Sequence, residues 1–205
     1  MDIETSEVQN IDKEKKYNKK IISTKRIVFS ALFTALIVIG SYITIDIQPV
    51  PFTMQVPFVL LTSLLLGPVW GTISVVIYIY LGLVGVPVFS SKGGAGITYV
   101  FKPSFGYILG FVIASIAIGL ISKSKGNGPP SFKRMVFANF IGIVIIYAIG
   151  MLYMYLIMKL YLNVEPTAKV IFVSGCLMFL PKEFVFVILT ALLAVKLKPH
   201  INLEN

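Results

Sequence analysis

One cysteine and one histidine, Cys176 and His200, are all that the 205 residues contain. That scarcity excludes a disulfide framework, leaves no cluster with metal-ligand spacing and gives a Cys/His nucleophilic site no pair. No G-x-x-x-x-G-K-[ST] phosphate loop occurs, so any ATP-driven work falls to another chain. Charge is sparse as well, at 13% of residues. The net charge of +9 suggests nucleic acid only until its residues are placed. The lysines and arginines cluster at the ends of apolar runs, where they mark topology, and no nucleic-acid partner is expected. No catalytic residue, metal or cofactor is expected either, because a lone intramembrane carboxylate without a paired acid, a histidine or an activated serine does not make a hydrolytic site.

What is abundant is apolar surface. Hydrophobic residues make up 57% of the chain and mean hydropathy is +0.88, which marks an integral membrane protein of all-α class. Residues 1–26 read as a basic cytoplasmic tail, 27–198 as one membrane domain and 199–205 as a short second tail. Within the domain about six spans are expected, at 27–45, 56–66, 70–88, 104–121, 135–161 and 170–195. Gly67-Pro68 makes a tight turn between the second and third. Thirteen of the 18 basic residues fall on one side of this arrangement, so both termini face the cytoplasm of a bacterial cell membrane.

Three stretches do not fit a plain bundle. Pro49, Pro51 and Pro57 forbid helix after the first span and predict an extended outer loop, residues 47–55, able to lie over a site. Residues 87–111 carry Gly93, Gly94 and Gly96 among Lys92, Tyr99, Lys102, Ser104 and Tyr107, a polar glycine-rich segment at a membrane surface. The last apolar run contains LPKEF, where Pro181 starts a fresh helix and puts Lys182 and Glu183 at its N-terminal turn, at membrane depth. An intramembrane acid is a functional candidate by default, with a structural ion pair to Lys182 or Lys102 as the alternative. In the first span, Ser30, Ala31, Thr34, Ala35 and Gly40 form a stripe of small residues that suits close helix approach, by a partner or by the chain's own helices.

The ordered set PVPFTMQ ending at Gln55, LLLGP at 64–68, LGLVGVPVF at 81–89, GGAG at 93–96 and PSFGYILGF at 103–111 resembles the BioY family. These are the biotin-binding S components of energy-coupling-factor (ECF) transporters. The resemblance implies the six-helix S-component fold, biotin bound on the outer side, and assembly in the bilayer with a transmembrane coupling protein and two ABC-type ATPases. It also implies that Ala31 and Ala35 face the coupling protein. Two motifs depart from the family. The pattern P-x-D-x-x-K reads here Pro181, Lys182, Glu183, Phe184, Val185, Phe186, and G-P-T-G-G-Y reads Lys102, Pro103, Ser104, Phe105, Gly106, Tyr107, as if a lysine had moved from one wall to another.

Biotin presents two ureido N–H donors, a carbonyl, an apolar chain and a carboxylate. The expected set is Glu183 as acceptor of ureido N–H and Thr53, Gln55, Ser104 and Tyr107 as neutral partners. Lys102 or Lys182 is the expected cation and Phe105 the ring cover, with Gly94 allowing close approach. Two other classes stand beside this reading: a stand-alone proton-coupled carrier in which Glu183 titrates, and an intramembrane enzyme, which the missing catalytic partners disfavour.

Overall fold

The computed structural model describes residues 24–47, 49–90, 94–123 and 131–201. Residues 1–23 of the expected tail, Lys92 and Gly93 of the glycine-rich segment, and 124–130 of the basic connector lie outside it. The first helix, α1 (Thr24–Tyr42), is 19 residues long. At 1.5 Å per residue it spans about 28 Å, close to the hydrocarbon thickness of a bilayer. It begins three residues ahead of the apolar run, so Lys25 and Arg26 lie in its first turn.

A short antiparallel hairpin follows, β1 (Thr44–Ile45) paired with β2 (Phe52–Thr53). Pro49 and Pro51 lie between the strands, where their fixed φ and missing N–H keep helix from forming and the chain bends at Pro49 and Val50, while Pro57 is taken into the first turn of the next helix. The amide of Met54 donates to the carbonyls of Gly40 and Ile43, each at 3.1 Å, which ties the hairpin to the end of α1.

Helix α2 (Gln55–Leu83) is two helices joined at Gly67, whose φ of 75° and ψ of −171° belong to a region essentially confined to glycine. The arms, residues 55–66 and 68–83, fold back on each other. Gln55 Nε2 donates to the Tyr78 hydroxyl across the hairpin, and a Cβ built on Gly71 would stand 3.0 Å from Ser63 Cα. Residues eight apart in one continuous helix would be separated by about 12 Å. Among the described residues five helices are long and apolar enough to cross a membrane, and counting the two arms of α2 separately gives six helical segments.

After a 3₁₀ turn, Ile97–Phe101, come α3 (Phe105–Ser122) and α4 (Phe132–Leu160). The last pass is composite: α5 (Ala168–Phe172), a π-turn at Val173–Leu177 and α6 (Leu180–Leu197). Helix α2 is the hub, packing on α1, α3 and α6, while α4 packs on α3 and α6. Outward positions such as Leu32, Val76, Leu120 and Leu152 are exposed and apolar, as a lipid-facing surface needs.

The stripe of small residues on α1 divides in two. Ser30 and Thr34 turn inward: the Ser30 and Ser74 hydroxyls are 2.9 Å apart, and Thr34 Oγ1 donates to the Ser74 carbonyl at 3.0 Å. Ala31 and Ala35 stay exposed and line an open apolar groove beside Trp70, Ile73 and Ile77 of the second α2 arm.

Gly67 sits where a side chain meets open space but the backbone forbids it. Gly67→Ala should therefore lower stability by about 1–3 kcal/mol through strain alone. Thermal unfolding in detergent reads this, and an unchanged midpoint would mean the turn can be made without a glycine-only conformation.

Candidate functional site

The chemistry gathers where the last pass is broken. In the π-turn the amide of Met178 reaches back to the Val173 carbonyl at 3.2 Å, and that of Phe179 turns to Cys176 at 2.9 Å. The Gly175 carbonyl is thus left for a side chain, and the Tyr107 hydroxyl donates to it at 2.7 Å. Pro181 lies in the first turn of α6, where its missing N–H costs nothing. Glu183 follows in the same turn, where the aligned peptide dipoles favour a negative charge.

Glu183 is only 1% exposed, whereas Asp46 and Glu165, the other acids among the described residues, are at the surface. Its two oxygens are treated differently. Oε1 accepts from Lys182 Nζ at 3.1 Å and from the Tyr147 hydroxyl at 3.0 Å. Oε2 is buried without a partner. Lys182, 11% exposed, also donates to the Thr53 carbonyl at 2.5 Å and lies 4.3 Å above the Phe52 ring. One side chain therefore joins α6 to the hairpin.

Between them is a partly open pocket of about 40 Å³. That is room for about three waters. Of the residues expected from sequence, Thr53, Gln55, Ser104, Tyr107 and Lys182 line it. Val50 and Pro51 close it from the proline-rich loop, and Ile108, Phe111 and Phe179 supply apolar wall. Thr53 donates to Gln55 Oε1 at 3.1 Å, so the neutral polar groups form a chain that runs on to Tyr78.

Four expected residues stand away from the wall. Phe105 packs into an aromatic plug with Phe89 and Tyr99, centroids 6.2 and 6.4 Å away. Gly94 lies under the Tyr99 ring, where a Cβ would come 2.7 Å from Cδ2, and pairs with Phe89 in an isolated bridge. Lys102 is exposed, its ammonium 4.7 Å above the Tyr99 ring. Glu183 itself is not part of the wall but touches two residues that are, Lys182 and Tyr147.

Tyr78 and Tyr147 are missing from the sequence-based set. Each is a tyrosine inside an apolar run, and nothing local separates it from a packing aromatic. For Tyr147 the usable signal is depth: α4 and α6 are antiparallel, Asn139 pairs with Thr190 at 2.9 Å, and the same register carries Tyr147 to Glu183.

The BioY family's sequence model matches residues 13–202. The chain belongs to the BioY family. Among curated relatives, the probable biotin transporter BioY of Lysinibacillus sphaericus is 40% identical over 175 residues, covering 85% of this chain and 87% of that one. The biotin transporter BioY of Thermotoga maritima is 37% identical over 175 residues, 85% of this chain and 96% of the relative. A crystal structure of the S component for biotin from an ECF-type ABC transporter superposes with a TM-score of 0.72 at 26% identity, covering 89% of this chain and 93% of that one. The fold of this BioY member is thus that of an S component, and it is a multi-pass membrane protein.

The Lys182 clasp has a measurable consequence. A hydrogen bond from a charged donor contributes about 1.5–3 kcal/mol. In ligand-free protein, Lys182→Met should speed amide exchange across residues 52–54 by about ten- to a hundredfold, while α3 amides exchange as slowly as before. Unchanged exchange in the hairpin would show that Lys182 does not hold it.

Proposed function

We propose that this BioY member is the biotin-binding S component of an ATP-driven ECF transporter in the bacterial cell membrane. The observation that carries this reading is the half-satisfied carboxylate of Glu183. An acceptor buried without a donor costs about 1–3 kcal/mol, and membranes retain such groups where a ligand or partner completes them. A ureido N–H is a donor of the right kind for Oε2. The neutral wall of Thr53, Gln55, Ser104 and Tyr107 suits the rest of the ring's polar edge, and Ile108, Phe111 and Phe179 suit its apolar body.

The ligand's carboxylate pairs with Lys182 at the wall or with Lys102 outside it. Biotin amide decides between them: the lysine that holds the carboxylate is the one whose replacement by alanine removes the preference for biotin over its amide. Because the pocket is smaller than biotin, the loop carrying Val50, Pro51 and Thr53 opens to admit the ligand and closes over it.

The exposed groove at Ala31 and Ala35 seats a helix of the transmembrane coupling protein, through which two ABC-type ATPases act. Helix α1 is fastened to the second α2 arm by Ser30 and Thr34, and to the segment after it by Ser41, which donates to the Val88 carbonyl at 2.6 Å. A partner on that face therefore grips two helices at once. Both termini lie on the cytoplasmic side, where the lysine-rich ends belong.

Two measurements test this. Glu183→Ala should weaken biotin binding by about one to two orders of magnitude, with Glu183→Gln between it and the wild type. Calorimetry on folded, detergent-solubilised protein is sufficient, and wild-type affinity in the alanine variant would sink the assignment. Replacing Ala31 and Ala35 together by Trp should abolish co-purification with the coupling protein and ATP-dependent uptake, yet leave biotin binding intact. Normal co-purification of that double variant would remove the groove from the transport mechanism.

A further inference from the structure

Biotin's ureido ring has two N–H donors, and Glu183 has one free oxygen. If the ring docks at that carboxylate, as proposed above, its second N–H enters a buried space and needs its own acceptor there. We infer that this acceptor is the hydroxyl oxygen of Tyr147, which makes Tyr147 a ligand-binding and specificity-determining residue.

Three observations meet at Tyr147. Its ring lines the cavity wall and is 5% exposed, so the hydroxyl is out of bulk water. Its single hydrogen is already committed, since the hydroxyl donates to Glu183 Oε1 at 3.0 Å. What remains on the oxygen is lone-pair density, so toward a ligand this tyrosine accepts and does not donate. A hydroxyl whose proton is held by a carboxylate is also a better acceptor than an isolated one, because the two bonds polarise each other. Its position completes the case. The Tyr147 oxygen is 3.0 Å from Glu183 Oε1, and Oε2 belongs to the same carboxylate, so both acceptors stand at one group, which suits the two N–H groups on either side of one carbonyl in a cyclic urea.

The ring is held for this task. Tyr107 meets it edge to face with centroids 5.7 Å apart, and Phe179 lies on another side at 6.2 Å. Tyr107 is the weaker candidate, although its hydrogen is likewise committed, to the Gly175 carbonyl. Its hydroxyl is directed to the π-turn and not to the carboxylate.

The test is a comparison of ligands. Biotin and its two cyclic carbamate analogues, in which a ring oxygen replaces one or the other ureido N–H, are titrated into detergent-solubilised wild type and Tyr147→Phe. Phenylalanine keeps the ring and its packing. We expect Tyr147→Phe to bind biotin about tenfold more weakly, the loss of one buried hydrogen bond. One carbamate should bind wild type and variant equally, because it lacks the donor that Tyr147 meets, and the other should show the same tenfold loss as biotin. An equal loss for all three ligands would mean that Tyr147 only steadies Glu183, and wild-type affinity for biotin would mean that it does nothing here; either result overturns the inference. Should the variant not fold, the wild type still decides. Weaker binding of both carbamates supports two acceptors, and full affinity for one of them overturns the second. Failure of the biotin reading is recognised separately, since wild type would then not bind biotin at all.

Discussion

A carboxylate held inside a membrane needs charge compensation from several directions at once, and Glu183 shapes the molecule through that need. The positive end of a helix supplies part of it, which requires a helix to start at membrane depth. Pro181 and the π-turn at Val173–Leu177 provide that start. Breaking the last pass frees a carbonyl at Gly175, and Tyr107 is positioned to take it. Lys182 supplies the counter-charge and, because it also reaches the Thr53 carbonyl, binds the hairpin to the same point. One lysine thus links the broken helix, through the carboxylate, to the hairpin, and its loss is felt first where it holds the hairpin.

The other end of the structure answers a different constraint. Lipid offers no hydrophobic driving force between helices, so α1 is attached by hydroxyl groups and small side chains. Ser30 and Thr34 use one half of the stripe to reach Ser74, and Ala31 and Ala35 leave the other half open. A single spacing of small residues thus carries an internal contact and an external surface a hundred degrees or so around the helix.

Much of this can be read from the chain, and the rest divides by cause. Gly67-Pro68 and Pro181 are legible because they act through the backbone, where residue type alone decides conformation. The prolines between β1 and β2 are legible for the same reason. Lys102 is not. Its direction depends on the 3₁₀ turn that sets it over Tyr99, and nothing in its neighbours reveals that turn. Phe105 follows Ser104 directly, yet the first turn of α3 sends serine to the cavity and phenylalanine to the aromatic plug. Tyr78 and Tyr147 are hidden because aromatic residues inside spans look alike whether they pack or hydrogen-bond. Only the pairing of antiparallel helices separates the two cases.

The contact between Lys182 and the Thr53 carbonyl also bears on the tempo of capture. In the proposed function the loop above the site moves, and each opening breaks the hydrogen bond from Lys182 to the Thr53 carbonyl, which ties arrival to an internal motion as well as to diffusion. The same contact, remade over an occupant, stands in the way of its departure. A site closed by one hydrogen bond to a loop would have its filling and its emptying set by that same bond.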